Sequence, residues 1–180
     1  MSTRHTIELF VMDVDGVMTD GTVTYTSDGQ ELKSFNIKDG LGIKRVQNAG
    51  IKTAIITGRM SPMVEHRASE LGIQHVIQGR DDKLAALREL TESLGLTLDS
   101  VAYMGDDLPD AAAIENASIG ACPADAVSVV RSKADWIASF NGGQGCVRQF
   151  CDFLLEEGNT EDHDLEGPDL EAPDLEGHDE

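Results

Sequence analysis

The sequence is poor in aromatic and in basic residues, and each shortage excludes something. Phe, Trp and Tyr make up 4% of the 180 residues, so a core of this chain must be mainly aliphatic. Lys and Arg number 14 against 33 Asp and Glu, which gives a formal charge of −19. Because a nucleic-acid-binding protein needs a basic face, the composition argues against that class of partner.

Cysteines are also few, and long apolar runs are missing. Cys122, Cys146 and Cys151 fit neither a zinc-ligand spacing nor a disulfide framework. The N-terminal stretch MSTRHTIELF lacks an apolar signal core, and no apolar run is long enough to span a bilayer. These absences predict a protein of the reducing cytoplasm with no membrane partner.

The acidic residues are concentrated at the C-terminus. Residues 158–180 contain ten acidic and no basic residues, which leaves a formal charge of −9 for residues 1–157. The stretch DLEGPDLEAPDLEGHDE repeats a five-residue unit that is broken by Pro and Gly and cannot bury a core. We therefore expect one domain over residues 1–157 and a disordered tail over 158–180. The tail is either a solubilising extension or a docking segment that uses its regularly spaced leucines.

Strand-like and helix-like segments alternate along residues 1–157. Apolar or β-branched runs predict strands at residues 7–12, 52–57, 74–78, 100–105 and 118–121. Amphipathic patterns and stop signals predict helices at about residues 40–50, 62–71, 81–95, 108–117 and 145–158. This alternation is typical of an α/β fold with a doubly wound, mainly parallel Rossmann-like sheet. The turn signal SDGQ predicts a small β-hairpin insertion over about residues 22–37.

Polar residues follow three of the predicted strands. Asp13 follows the first strand, Thr57 the second and Asp106 the fourth. Ligands of parallel sheets bind beyond the carboxyl ends of the strands, so these side chains should gather at one edge. Asp13 and Asp15 would raise each other's pKa unless a cation lay between them, and a compact set of oxygen ligands suits Mg²⁺. A polar turn is an alternative; a calcium loop fails because Val17 stands where a further ligand is needed.

Two further features suggest an anion site. Thr57 and the backbone N–H groups of the TGR turn, at Gly58, could bind an anionic oxygen. Lys83 at a helix N-terminus opposes the helix dipole, which neutralising a phosphate would explain. The alternative is a surface lysine paired with Asp81 or Asp82.

An acidic group follows the fourth predicted strand in GDDLPD. Asp106 could complete a Mg²⁺ site with the first two carboxylates. Alternatively, Asp106 or Asp107 caps the helix that begins near Pro109.

The order of these features resembles the haloacid dehalogenase superfamily of phosphotransferases, whose four motifs stand here as DVDGV, TGR, Lys83 and GDDLPD. Within it, six stretches resemble the 3-deoxy-D-manno-octulosonate 8-phosphate phosphatases: DVDGVMTDG, FNIKDGLGI, AIITGR, LGIQHVIQG, MGDDLPD and GGQGCVRQFCDFLL. These enzymes are close relatives of phosphatases that act on nonulosonate (sialic-acid-type) sugar 9-phosphates. The resemblance covers about residues 7–155 and leaves out the tail.

The resemblance implies a role for each motif residue. Asp13 would be the nucleophile that forms an aspartyl-phosphate, and Asp15 the general acid and then the base. Mg²⁺ would be held by the Asp13 side chain, the Asp15 backbone carbonyl and Asp106. Thr57 and Lys83 would hold the phosphoryl oxygens, and Asp107 would orient Lys83 or a metal-bound water.

Substrate recognition is implied less directly. Arg59 and Arg67 are candidates for binding the sugar carboxylate because arginine can donate two parallel hydrogen bonds to it. Arg67 could equally be a solvated helix residue. Gln144 in GGQG stands where the family usually carries a basic residue, so the reaction is better supported than the substrate.

The resemblance also implies an assembly. No cap domain is inserted, the hairpin is the only insertion after the first motif, and family members form homotetramers in which a neighbour covers the site. The implied activity is a Mg²⁺-dependent, cytoplasmic hydrolysis of a sugar phosphate that supplies surface-polysaccharide precursors. A nonulosonate 9-phosphate phosphatase is one alternative. A non-catalytic phosphoryl-accepting or assembly module is another, which Asp15 disfavours because an acid–base group beside the nucleophile promotes hydrolysis.

Overall fold

A parallel sheet lies at the centre of the molecule. The computed structural model describes residues 6–158. Its strands are β1 (Leu9–Met12), β2 (Thr24–Tyr25), β3 (Glu31–Leu32), β4 (Lys52–Thr57), β5 (His75–Gln78), β6 (Val101–Met104), β7 (Ile119–Cys122) and β8 (Trp136–Ile137). Six of them form one sheet in the order β5-β4-β1-β6-β7-β8, with every pairing parallel. The predicted doubly wound fold is therefore confirmed.

Helices cover both faces of this sheet. They are α1 (Ile37–Asn48), α2 (Pro62–Leu71), α3 (Lys83–Leu94), α4 (Ala111–Asn116), α5 (Ser128–Arg131) and α6 (Cys146–Gly158). Phe10 and Met12 of β1 point into the core beneath α1, α2 and α6, whereas Leu9 and Val11 point into the core beneath α3, α4 and α5. Since both faces are covered, the central strand is apolar throughout, which is why its sequence shows an uninterrupted run.

The predicted hairpin is present as an antiparallel pair of short strands, β2 and β3, in which Thr24 lies opposite Leu32. Helix α1 begins three residues earlier than predicted, because the Asn36 side chain accepts a hydrogen bond from the backbone N–H of Lys38 and caps it. The GLG stretch therefore lies inside the helix. A Cβ on Gly40 would come within 2.6 Å of an Arg67 nitrogen, so this helical glycine allows close packing against α2.

Among the strands and α-helices of residues 6–158, β8 and the short α5 were not predicted from the sequence. The proposed tail lies outside the described residues, apart from its first residue. Within residues 6–158, no helix has both the length and the apolar character needed to cross a bilayer.

Candidate active site

The carboxyl ends of three neighbouring strands form the site. Strand β1 lies between β4 and β6, and its last residue, Met12, is level with Ile55 and Met104. The chain leaves all three strands at the same edge of the sheet. The side chains that this register brings to the edge are those of Asp13, Thr57 and Asp106.

Lys83 is buried at this edge rather than exposed on the surface. Its Nζ lies 2.6 Å from Asp13 Oδ2 and 2.7 Å from Asp110 Oδ1, and the residue is only 3% exposed. Burial alone would lower the pKa of Lys83, but the two carboxylates outweigh it and the pKa is raised. The alternative of a surface lysine paired with Asp81 or Asp82 is wrong, because Lys83 is buried and pairs with Asp13 and Asp110.

Asp110 fixes the position of Lys83. Besides Lys83, its Oδ1 accepts a hydrogen bond from the Tyr103 hydroxyl at 2.8 Å. Its Oδ2 accepts from the backbone N–H groups of Asp106 and Asp107 at 3.2 and 3.3 Å. Asp110 is fully buried, so both of its oxygens are committed to the protein.

Asp107 takes the capping role that the sequence left open as an alternative. Its side chain accepts from the backbone N–H of Leu108 at 2.7 Å and caps the 3₁₀ turn Leu108–Asp110. Asp110, and not Asp107, therefore orients Lys83. The roles of Asp107 and Asp110 could not be assigned from their positions in GDDLPD, because either side chain could have capped the turn or reached the end of the strand.

The cluster carries more negative than positive charge. Carboxylate oxygens of Asp13, Asp106 and Asp110 lie within 4.8 Å of one another, and Lys83 contacts two of these residues, Asp13 and Asp110. Burial, with repulsion among these carboxylates, raises the pKa of Asp106 to about 8 and that of Asp13 to about 6. Each oxygen of Asp110 has two partners, whereas each oxygen of Asp13 has one, so Asp13 and Asp106 are the carboxylates with room to hold a cation.

The loop after β1 makes room for this pair of carboxylates. A Cβ on Gly16 would lie 2.0 Å from Asp106 Oδ2, and Gly16 has a positive φ of 88°. Glycine is thus required both for the backbone conformation and for the close approach. The donor set of hard oxygens, with three carboxyl groups against one ammonium group, fits a divalent cation such as Mg²⁺.

Asp15 faces away from Lys83 and toward the hairpin. Its Oδ1 pairs with Lys33 Nζ, and its Oδ2 lies 3.8 Å from Arg59 Nε. Glu31 joins the two cations, at 3.4 Å from Lys33 Nζ and 3.0 Å from an Arg59 nitrogen. Sequence analysis missed Lys33. A signal existed, because Glu31 and Lys33 are two apart at the end of an extended strand and point to the same side.

Arg67 lies beside this group, on α2. It stacks over the Phe35 ring at 5.7 Å, donates to the Asn36 carbonyl at 3.4 Å and pairs with Glu70 at 3.3 Å. Its side chain is 19% exposed, so it is not a solvated helix residue. Arg67 and Lys33 line the same cavity of about 310 Å³, and within residues 6–158 the buried Arg67 Nε has no hydrogen-bond partner.

Thr57 and Gly58 form the exit of β4. Thr57 is buried, and its carbonyl accepts from the backbone N–H of Arg80 at 3.2 Å. A Cβ on Gly58 would lie 2.5 Å from Asp81 Oδ1, so the turn packs closely against the loop before α3. The predicted site residues thus lie along one edge, with Arg59 and Arg67 on its hairpin side.

Comparisons with known proteins identify the family. Residues 69–150 match the model of a haloacid dehalogenase-like hydrolase family. A 3-deoxy-D-manno-octulosonate 8-phosphate phosphatase of Escherichia coli (strain K12) is 43% identical over 149 residues, 83% of this chain and 79% of the relative. That of Yersinia pestis is also 43% identical, over 83% of this chain and 80% of the relative.

Solved structures give the same result. A crystal structure of 3-deoxy-D-manno-octulosonate 8-phosphate phosphatase from Moraxella catarrhalis, in complex with a magnesium ion, a phosphate ion and KDO, has a TM-score of 0.82 and 49% identity. It covers 83% of this chain and 86% of that one. The cobalt-bound phosphatase of Haemophilus influenzae has a TM-score of 0.82 and 36% identity, with 89% and 94% covered. The chain therefore belongs to the 3-deoxy-D-manno-octulosonate 8-phosphate phosphatase family of haloacid dehalogenase-like hydrolases.

Proposed function

We propose that this phosphoric monoester hydrolase is a Mg²⁺-dependent phosphatase of 3-deoxy-D-manno-octulosonate 8-phosphate. One observation carries the proposal: the buried pair of Asp13 and Lys83 lies at the end of β1, in a cluster of three carboxyl groups and one ammonium group. The relative from Moraxella catarrhalis, 49% identical, holds magnesium, phosphate and KDO.

Asp13 is the proposed nucleophile. Its Oδ1 accepts from the backbone N–H of Val14 at 2.7 Å, and its Oδ2 pairs with Lys83. Both contacts restrain the carboxylate, which helps it to meet the phosphorus in line. Attack forms an aspartyl-phosphate on Asp13 while the bond from phosphorus to the sugar oxygen breaks.

Asp15 is the proposed acid and base. It gives a proton to the departing sugar oxygen, then takes one from the water that hydrolyses the aspartyl-phosphate, so the enzyme returns to its starting state. The side chains of Asp13 and Asp106 and the backbone carbonyl of Asp15 are the proposed ligands of Mg²⁺. When bound, Mg²⁺ neutralises the carboxylates and lets an anionic nucleophile approach an anionic phosphate. Thr57, Gly58 and Lys83 would bind the phosphoryl oxygens.

The sugar is proposed to occupy the cavity beside the hairpin. Arg59 and Arg67 would bind its carboxylate, and for Arg67 this is supported by its Nε, which has no hydrogen-bond partner within residues 6–158. Gln144, where the family usually has a basic residue, is exposed and lies on the loop before α6. This difference makes the choice between octulosonate and nonulosonate a question for experiment.

We further propose residues 1–157 as the catalytic domain and a cytoplasmic homotetramer as the working form. The site has no cap domain in the described residues, and the hairpin carries exposed apolar side chains that a neighbour could cover. The acidic residues 158–180 are proposed to be an appendage that catalysis does not need.

The test is a panel of sugar phosphates with the octulosonate 8-phosphate and a nonulosonate 9-phosphate side by side. Phosphate release should need Mg²⁺ and be fastest with the octulosonate. Asp13→Asn should be inactive. A protein that releases no phosphate from any member of the panel would refute the proposal, and faster nonulosonate turnover would reassign the substrate. Truncation after Glu157 should leave the rates unchanged.

A further inference from the structure

The charged group around Asp15 is separate from the one around Asp13. Lys83 and Asp110 contact Asp13, whereas Lys33 contacts Asp15. The two lysines come from distant parts of the chain, one from α3 and the other from the residue after β3. Each carboxylate of the DVDG turn is therefore held by its own ammonium group.

The Lys33 side chain is buried and held by ion pairs, unlike a typical surface lysine. Its side chain is 2% exposed, although it belongs to a hairpin whose strands are only two residues long. Glu31 lies 3.4 Å from its Nζ and also accepts a hydrogen bond from Arg59 at 3.0 Å. The four groups carry two positive and two negative charges, so the network is balanced without a further ion.

The network leaves one oxygen of Asp15 free. Lys33 engages Oδ1, whereas the buried Oδ2 has no hydrogen-bond partner within residues 6–158 and only the longer 3.8 Å approach of Arg59. A buried oxygen without a partner is costly unless a ligand completes it. A free carboxyl oxygen two residues from the nucleophile is where a leaving-group oxygen would receive its proton.

We propose that Lys33 is a positioning residue for proton transfer, holding Oδ1 of Asp15 so that Oδ2 faces the leaving-group oxygen. The inference rests on the proposed role of Asp15. In the step itself the proton passes from Oδ2 to the sugar oxygen as the phosphorus–oxygen bond breaks. The carboxylate that remains on Asp15 is stabilised by the ammonium group of Lys33. Without Lys33 the carboxyl group could rotate, and a loss of alignment of this kind costs about 100-fold in rate.

The test uses the acidity of the leaving group. Aryl phosphates contain no sugar, so a series with phenols of increasing pKa reports proton transfer without sugar binding. The value of kcat/KM covers the reaction up to departure of the phenol. Wild-type kcat/KM should fall only slightly as the phenol becomes less acidic, because Asp15 protonates it. Lys33→Met should steepen this dependence, leaving 4-nitrophenyl phosphate within about 3-fold of wild type and the least acidic phenol about 100-fold slower.

Three further variants complete the experiment. Lys33→Arg, which keeps a cationic donor, should restore most of the wild-type slope, and Asp15→Asn should give the steepest slope. Lys52→Met replaces an exposed lysine at the other end of β4 and should match wild type. Thermal unfolding of each variant reports whether it is folded.

Two outcomes overturn the inference. Parallel lines for Lys33→Met and wild type would assign Lys33 to phosphate binding or to folding alone, and identical lines would show no role. The proposed sugar substrate is tested separately. A protein that cleaves aryl phosphates but not the octulosonate phosphate would still give the slopes of wild type and Lys33→Met, so the role of Lys33 could be judged even if the proposed substrate were wrong.

Discussion

Asp13 and Asp15 are two residues apart, yet their carboxyl groups meet different surroundings. Asp13 is buried with Asp106 and Asp110 around Lys83, and burial is the main cause that raises its pKa to about 6. Asp15 instead lies in a balanced network with Lys33 and Arg59. The first environment favours a bound cation, whereas the second leaves Asp15 Oδ2 without a hydrogen-bond partner within residues 6–158. The proposed roles of the two aspartates therefore differ because Asp13 pairs with Lys83 and Asp15 pairs with Lys33.

The first prediction concerns pH and Mg²⁺. Folding raises the pKa of Asp13 to about 6 and that of Asp106 to about 8, from 3.8 in the unfolded chain. The folded state therefore binds these protons more tightly, and the Mg²⁺-free protein loses stability as the pH rises from about 4 through 8. Bound Mg²⁺ should remove this loss. The increase in Tm caused by Mg²⁺, measured by calorimetry against EDTA, should be larger at pH 8 than at pH 5.5. An equal or smaller increase at pH 8 would contradict it.

The second prediction separates stability from activity at Asp106. Its carboxylate is repelled by Asp13 and Asp110, and within the described residues it accepts no hydrogen bond. Asp106→Asn removes the repulsion, so the Mg²⁺-free variant should be more stable at pH 8 by about 1 kcal/mol, or roughly 3 °C in Tm. The same variant should lose the stabilisation by Mg²⁺ and most of its phosphatase activity. A lower Tm without Mg²⁺ would show that Asp106 is satisfied in some other way.

At the scale of elements, the loop before α6 supports the loop after β1. The backbone N–H of Gly143 donates to the Val17 carbonyl at 2.9 Å, and the Asn36 side chain donates to the Gly143 carbonyl at 3.2 Å. A Cβ on Gly142 would lie 2.0 Å from the Gly16 carbonyl oxygen. The two loops are in such close contact that a side chain at Gly142 has no room.

The third prediction follows from this contact. Gly142→Ala should push the Gly16 turn away from Asp106 and lower kcat by about 10-fold or more, because small displacements at a site have large effects on rate. The matched control is Gly95→Ala. Gly95 follows α3 with a positive φ of 68°, and a Cβ built on it would have no atom within 4 Å. The substitution should therefore cost about 1 kcal/mol in stability, because alanine disfavours this backbone conformation, and should leave activity unchanged. Wild-type kcat in Gly142→Ala would mean that the loops can separate without consequence.

The fourth prediction concerns how α6 is attached. Asp39, buried in the first turn of α1, accepts the backbone N–H of Arg148 at 2.8 Å and so caps α6. Asp39→Ala should lower the free energy of unfolding by about 2 kcal/mol, and Asp39→Asn by less, because the amide keeps an acceptor oxygen. Asp152→Ala is the control and should cost under about 1 kcal/mol, because the pairs of Asp152 with Arg45 and Arg148 are partly exposed. Urea denaturation measures all three; equal losses for Asp39→Ala and Asp152→Ala would rule out a special role for the cap.

Sequence patterns predicted the strands and helices that show a pattern of apolar residues within their own segment. Strand β1 is buried on both faces and therefore shows as an apolar run, whereas β8 has two residues, Trp136 and a 42%-exposed Ile137, and so shows no pattern. The same holds in the site. Asp13 and Lys83 could be found because motif order along a parallel sheet fixes where strands end. Lys33 was missed because its contact with Asp15 depends on how the hairpin folds back over 18 residues, and the spacing of Glu31 and Lys33 indicates only that they share a side.

At the scale of the whole molecule, the hairpin is the surface that we propose for contact with a second copy of the chain. A two-stranded sheet with two residues in each strand is only marginally stable in water by itself. Its charged side, with Glu31 and Lys33, faces the site, and apolar side chains lie exposed on the hairpin and at the start of α1. They are Val23, Tyr25, Leu32, Ile37 and Leu41, with exposed fractions between 43% and 84%. Apolar groups exposed in this way mark a surface for association.

The last prediction is that these side chains hold the proposed tetramer together. Light scattering should give about four times the 19.4 kDa chain mass for wild type, and the double variant Tyr25→Asp, Leu32→Asp should give the monomer. Ile137→Asp, an exposed apolar position on β8, is the control and should stay tetrameric. Because a neighbour would cover the sugar cavity, the monomer should lose about 10-fold in kcat/KM for the octulosonate phosphate and much less for 4-nitrophenyl phosphate. A wild-type protein that is monomeric and fully active would show instead that the hairpin closes the site within its own chain, through Lys33 and Glu31.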